Sequence, residues 1–408
     1  MIPPTFKDIE KAHALLKGIV VETPTLYSPS LSRDLNTKIF LKMENLQETG
    51  SFKERGVYNK LKNLSEDDLN RGVIAMSAGN HGQALAFYAH FLQIPATIVM
   101  PLFTPPIKVG NTEKWGARVV LAGQTVDESH SVAEELARNE NLTFVHPYDD
   151  PLVIAGQGTI GIEMLEACPE LEILLVPIGG GGLCAGVALA AKFLKPFLKI
   201  YGVEIEGFAS MAHALYGRKE GKKSSLTLAD CIAVKTPGIL PQGILRDLLE
   251  DIIVVQEEEI ERSVDLYLRK QKIVVEGGAA AGLAGLLHAP DLFTHKSVGL
   301  VVSGGNIEAS LLSAIMMRGK IHEGFLTYLR IEVSDVPGTL AHVTQIIAAY
   351  QGNIIDVKHQ RLFYEIPIKM ADLDILVESR GRNHINSIVS ALEAAEFKVS
   401  KLSGGALP

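Results

Sequence analysis

Short apolar runs alternate with longer amphipathic stretches over the first three hundred residues of the chain. Lys38–Met43, 72–76, Ala96–Met100, Arg118–Leu121, 173–178, 200–203 and 299–302 read as strands. Residues 81–92, 106–115 and 125–139 between them carry helical spacing. The strands are apolar without strict alternation, which fits sheets covered on both faces. Strand–helix alternation with glycine-bearing turns predicts an α/β fold of right-handed crossover units over mostly parallel sheets. One core does not hold all of this comfortably, so two α/β lobes with a cleft between them are expected.

The pattern changes near residue 327. Residues 327–333 alternate as a strand, and Asp335-Val336-Pro337-Gly338 forms a turn before a helix near 339–350. Strands at 353–363 and 365–376, a helix near 383–395 and a last strand near 398–401 follow. This order is the split βαβ, ferredoxin-like α+β arrangement. The expected division is a catalytic part over 1–320, its smaller lobe at about 50–150, and a second domain over 327–402, with 317–324 linking them. The tail holds no dense cluster of catalytic groups, so binding or assembly is its better reading.

Composition narrows the class. At 408 residues, 47% hydrophobic and 21% charged, the chain is long enough for a large catalytic unit and a smaller domain. A formal charge of -8 argues against a nucleic-acid or anionic-membrane surface. No uninterrupted apolar run reaches membrane-spanning length. Three cysteines, Cys168, Cys184 and Cys231, fit no zinc spacing, and no metal site is expected. Few cysteines and no secretory signal point to a cytoplasmic location. The N-terminus reads as a helix with Thr5 as its cap.

The chemistry-bearing residues cluster after strands. Thr49-Gly50-Ser51-Phe52-Lys53-Glu54-Arg55-Gly56 places Lys53 at an apparent helix start. A lysine becomes nucleophilic by desolvation or through a neighbouring cation, and Arg55 is close in sequence. The plain alternative is a surface lysine. Ser77-Ala78-Gly79-Asn80-His81-Gly82 follows a strand and opens a helix, where free N–H groups suit an anion. His81 also reads as an ordinary first-turn residue. Gly179-Gly180-Gly181-Gly182-Leu183 suits a phosphate nest or a flexible turn, and it lacks the nucleotide-binding patterns. Ser303-Gly304-Gly305-Asn306 is a further glycine turn at a strand end. Glu276 reads as solvated, capping or near a site. Asp149 and Asp150 read as loop or helix-start residues, and 156–159 as the start of a helix.

The run from Glu44 to Gly56 closely resembles the cofactor-lysine motif of threonine dehydratases, in the tryptophan-synthase-β-like (fold type II) family of pyridoxal-phosphate enzymes. The resemblance covers residues 5–320. It implies that Lys53 holds pyridoxal 5′-phosphate as a Schiff base, with Phe52 beside it. Gly179, Gly180, Gly181, Gly182 and Leu183 would take the phosphate, Asn80 would contact the ring near its phenolic oxygen, and Ser303 would meet the pyridine nitrogen. Ser77, Ala78, Gly79, Asn80 and His81 would cradle the carboxylate of an amino-acid substrate. The implied reaction is β-elimination from L-threonine, and from L-serine. Serine racemases of this fold carry a serine where this chain has Ala78, and of their metal-holding acids Glu204 matches while Ser210 replaces an aspartate. Both racemisation and that metal site are therefore disfavoured. Residues 327–402 resemble an amino-acid-binding ACT domain, on the Asp335–Gly338 turn and Gly352-Asn353-Ile354. That implies an isoleucine or valine effector and assembly as a homotetramer or homodimer.

Overall fold

The computed structural model describes residues 2–218, 226–361, 367 and 369–402. The chain divides into two compact units, residues 1–307 and 308–408. In the first unit the strands are β1 (Thr25–Tyr27), β2 (Lys38–Met43), β3 (Val73–Met76), β4 (Ala96–Met100), β5 (Arg118–Leu121), β6 (Thr143–Phe144), β7 (Ile173–Pro177), β8 (Lys199–Ile205), β9 (Asp251–Val255) and β10 (Ser297–Val302). They form two sheets, ordered β1-β2-β10-β7-β8-β9 and β5-β4-β3-β6. All pairings are parallel except β1 with β2. The two α/β lobes expected from the pattern are present. Three strands lie outside that expectation: β1 and β6 span three and two residues, too short to show a period. β9 is an apolar run that pattern alone does not separate from a buried helix segment.

Each lobe has its own core. Leu174, Val176, Ile200, Ile252 and Val301 build the larger one, and Ile98, Val73, Leu85 and Tyr88 the smaller. The helix Pro151–Ala167 begins at Asp150, whose carboxylate accepts the Leu152 and Val153 amides. Residues 156–159 therefore stand inside this helix and do not start it. Their glycines serve packing. A Cβ on Gly156 would strike the Arg55 carbonyl, and one on Gly158 would lie 2.9 Å from the Gly186 carbonyl. The buried helix thus passes close to both the Lys53–Lys62 and Gly182–Leu194 helices.

The second unit holds β11 (Leu326–Ser334), β12 (Asn353–Gln360), β13 (Met370–Glu378) and β14 (Lys398–Leu402), ordered β12-β13-β11-β14 and antiparallel throughout. Helices Thr339–Ala349 and Arg382–Ala394 supply Val343, Ile347, Ile385 and Ile388 to a core with Leu329, Ile331, Leu373 and Ile375. The element order matches the split βαβ reading. The strands expected to span 353–363 and 365–376 reach into 362–366 and 368, outside the described residues. Helix Ala309–His322 groups with this unit and runs through much of the stretch expected as a linker. Its Lys320 pairs with Glu378 on β13 at 3.3 Å.

Candidate active site

Strand order brings the motifs together. In a parallel sheet the loops after neighbouring strands emerge at one edge, where ligands bind. β10 lies between β2 and β7. The loop after β2 leads to Phe52 and Lys53, the loop after β7 is the glycine run, and the loop after β10 is Ser303–Asn306. The chain after β3, in the other lobe, carries Ser77–His81.

Lys53 opens the helix Lys53–Lys62, with Phe52 packed against the larger core. Its Nζ donates to the Pro147 carbonyl at 2.8 Å. Burial lowers the amine to about 8, against the opposing pull of Cys231 and Glu276. Arg55 is not the neighbouring cation. Its guanidinium is fully buried and grips Glu44 at 2.7 and 2.8 Å and Glu163 at 2.5 and 2.8 Å. Of the two routes to an activated lysine, the structure uses desolvation.

The loop around Lys53 is laced to the loop after β10. The Phe52 amide donates to the Ser303 carbonyl at 3.0 Å and the Gly305 amide to the Gly50 carbonyl at 2.9 Å. Ser303 is buried, with its hydroxyl at the carboxyl end of β10. The Ser51 and Thr49 hydroxyls are buried without partners, polar groups that a bound polar ligand would satisfy.

The glycine run is shaped for close approach. A Cβ on Gly180 would overlap the Tyr148 ring, and one on Gly182 would sit 2.8 Å from the Tyr148 carbonyl. Gly181 has φ +96° at the N-cap of helix Gly182–Leu194, a conformation other residues rarely adopt. Leu183 follows in the first turn, whose amides lack intrahelical acceptors. Backbone donors with no side chains in front of them fit a phosphate. Pro147-Tyr148 joins the two features, touching Lys53 on one side and the glycines on the other. Asp149 beside them accepts the Ile239 and Leu240 amides at 2.9 Å each.

Asn80 begins the helix Asn80–Phe91 after Gly79 as N-cap, and the Gly79 amide is held by the Ser77 hydroxyl at 3.2 Å. Ala78 beside it offers a methyl group only. The Asn80 amide donates to Glu276 at 2.6 Å and accepts from Asn306 at 2.7 Å, joining the two lobes. Burial, with Asp230 nearby, lifts Glu276 to about 7. Glu276 therefore belongs to the site, which its sequence context left open. His81 does not present a charge. Burial and the Lys53 charge lower it to about 3, and its Nε2 donates to the Val145 carbonyl at 2.8 Å. The N-terminal backbone of its helix is what remains for an anion.

Glu204 accepts the Met211 and Ala212 amides at 2.8 Å each, and Ser210 donates to the Val234 carbonyl at 2.6 Å. Among the described residues no group of three or more His, Cys, Asp or Glu is arranged to hold a metal ion. No helix among them is long and apolar enough to cross a membrane.

Comparison with known proteins agrees with this geometry. Residues 16–304 match the model described as pyridoxal-phosphate dependent enzyme, and residues 327–397 match the ACT domain. The L-threonine ammonia-lyase of Thermotoga maritima is 41% identical, covering 97% of this chain and 98% of that one. The processed form of threonine deaminase isoform 2 from Solanum lycopersicum superposes with a TM-score of 0.72 at 32% identity, over 78% of this chain and 95% of the other. Maize serine racemase superposes with a TM-score of 0.72 at 32% identity, over 79% of this chain and 100% of the other. A desolvated lysine among converging strand ends, a glycine cradle and a match along nearly the whole chain place it together: it belongs to the pyridoxal-phosphate-dependent enzymes, in the threonine ammonia-lyase family, with an ACT domain following the catalytic fold.

Proposed function

We propose that this protein deaminates L-threonine to 2-oxobutyrate and ammonia by β-elimination, and L-serine to pyruvate and ammonia, under amino-acid control through its ACT domain. The observation that carries the reading is the Lys53 amine, buried where the loops after β2, β10 and β7 converge. Lys53, Phe52, Asn80, Gly179 to Gly182, Leu183 and Ser303 would hold pyridoxal 5′-phosphate. When bound, that group supplies an aldehyde for amines and a ring that withdraws electrons from the adjacent carbon.

The chain's own residues do the rest. The Ser77–His81 backbone, at a helix start, takes the substrate carboxylate. Lys53, close to neutrality, takes the Cα proton. The β-hydroxyl then leaves as water. The resulting enamine tautomerises and adds water, releasing ammonia and the 2-oxo acid. Ser303 places a neutral hydroxyl at the ring nitrogen, where a carboxylate would hold a proton and deepen the electron sink. Prompt elimination is favoured over longer-lived carbanion chemistry. Ala78 gives the opposite face no second proton carrier, which argues against racemisation.

The test is 2-oxo-acid production from L-threonine and L-serine by the loaded protein, with and without isoleucine or valine. The expected result is 2-oxobutyrate formation that changes with an added branched-chain amino acid. No 2-oxo acid from either substrate, despite bound cofactor, sinks the reading. Turnover indifferent to every amino acid removes the regulatory part alone. For the ACT unit we propose assembly as a homotetramer, with a homodimer next, read by light scattering.

The amine at about 8 sets a pH dependence. An unprotonated amine attacks a carbonyl, so capture of pyridoxal 5′-phosphate by the cofactor-free chain should quicken about tenfold per pH unit below 8 and level off above it. Stopped-flow absorbance measures this. A rate still climbing tenfold per unit above pH 9 would show that burial does not tune Lys53.

A further inference from the structure

Asn306 has no part in the chemistry assigned above, yet it touches two of the segments that carry it. Its Nδ2 donates to the Thr49 carbonyl at 2.8 Å and to the Asn80 Oδ1 at 2.7 Å. Asn80 in turn donates through Nδ2 to Glu276 Oε1 at 2.6 Å. The direction of this chain is forced at one end. A backbone carbonyl only accepts, so Asn306 must turn its nitrogen to Thr49. The same nitrogen then requires an oxygen on Asn80, and the Asn80 nitrogen faces the Glu276 carboxylate. Flipping Asn80 would set nitrogen against nitrogen and oxygen against oxygen. Gly50 supports the arrangement from behind. It has φ +75°, and a Cβ there would lie 2.7 Å from Asn306 Oδ1. The Asn306 oxygen is thereby backed by bare chain.

We propose that Asn306 is a positioning residue that fixes the orientation of the Asn80 amide, through a one-way hydrogen-bond chain from the Thr49 carbonyl to Glu276. Asn80 is left with one unspent N–H, and that donor is what the chain presents to the cofactor. Asn306 also ties this donor to the segment before Lys53, so the two groups are set in register by one side chain. The inference rests on the reading that Asn80 faces pyridoxal 5′-phosphate.

The experiment compares wild type, Asn306→Ala, Asn306→Asp and Asn80→Ala, each loaded with pyridoxal 5′-phosphate. The visible cofactor band is recorded from pH 6 to 9, with thermal unfolding and threonine kinetics alongside. Asn306→Ala should unfold near the wild-type temperature, shift the band or its pH midpoint, and lower kcat roughly 10- to 100-fold with a smaller change in KM. Asn306→Asp, which sets acceptors against both partners, should do more. Adding Asn306→Ala to Asn80→Ala should shift the band no further, because the effect passes through Asn80. If Asn306→Ala does not load, Asn306→Ser, which keeps one donor, is read in its place. A loaded variant with the wild-type band, midpoint and kcat overturns the proposal, as does an undiminished shift in the Asn80→Ala background. A wild-type protein that forms no cofactor band sinks the functional reading itself, which is a separate outcome.

Discussion

Lys53→Ala lowers 2-oxobutyrate formation from threonine by at least about 10³-fold, because the site loses its proton acceptor and the amine that captures the cofactor. The structure supplies no replacement. Arg55 is held between two carboxylates, and His81 is neutral and turned to a carbonyl. Lys53→Arg should fall as far, since a guanidinium stays protonated at any working pH. The fold should tolerate both changes better than activity does, because Lys53 makes one hydrogen bond, to Pro147. Steady-state kinetics with circular dichroism separates the two effects. Turnover by Lys53→Ala within about tenfold of wild type, with matched cofactor, would remove Lys53 from the chemistry.

That lysine was legible in the sequence for a physical reason. Each motif is local: a glycine-bearing turn directly after an apolar run marks the carboxyl end of a strand, where α/β sheets bind ligands. The strands carrying Lys53, the glycine run and Ser303 were readable, and so was the element order of the ACT unit. Strand order was not readable. Nothing local places β10 between β2 and β7, yet that placement gathers the three loops. The partners of Arg55 lie 11 and 108 residues away, so proximity to Lys53 in sequence suggested a role it does not have. Glu276 and Asn306 were quoted within motifs, but their meeting with Asn80 is a contact across 196 and 226 residues. The glycines at 156 and 158 looked like a helix start because glycine weakens helices. Their purpose, close passage of neighbouring backbones, is visible only in packing.

The largest stability effect is expected two residues from Lys53, in the buried charges beneath its helix. Lys42 and Arg55 face Glu44 and Glu163, all four nearly or wholly shielded from water, so the set is neutral. Burial alone would raise Glu44, but Arg55 overrides it and holds the carboxyl below its ordinary value. Glu163→Leu leaves one uncompensated positive charge in the core, which costs about 3–5 kcal/mol and lowers the catalytic unit's melting temperature by roughly 6–10 °C. Adding Lys42→Met restores neutrality and leaves the Arg55–Glu44 pair intact. The double variant should therefore recover most of the loss, because a balanced buried pair is replaceable by apolar groups and a single buried charge is not. Calorimetry of the wild type and the single and double variants reads this directly. A double variant no more stable than Glu163→Leu would mean that shape, not charge balance, governs this layer. Recovery would instead show why the sequence can keep four charges in its core beside the catalytic lysine. They cancel one another, fasten strand β2 and helix Pro151–Ala167 to the Lys53 helix, and leave the Lys53 amine to be tuned by desolvation alone.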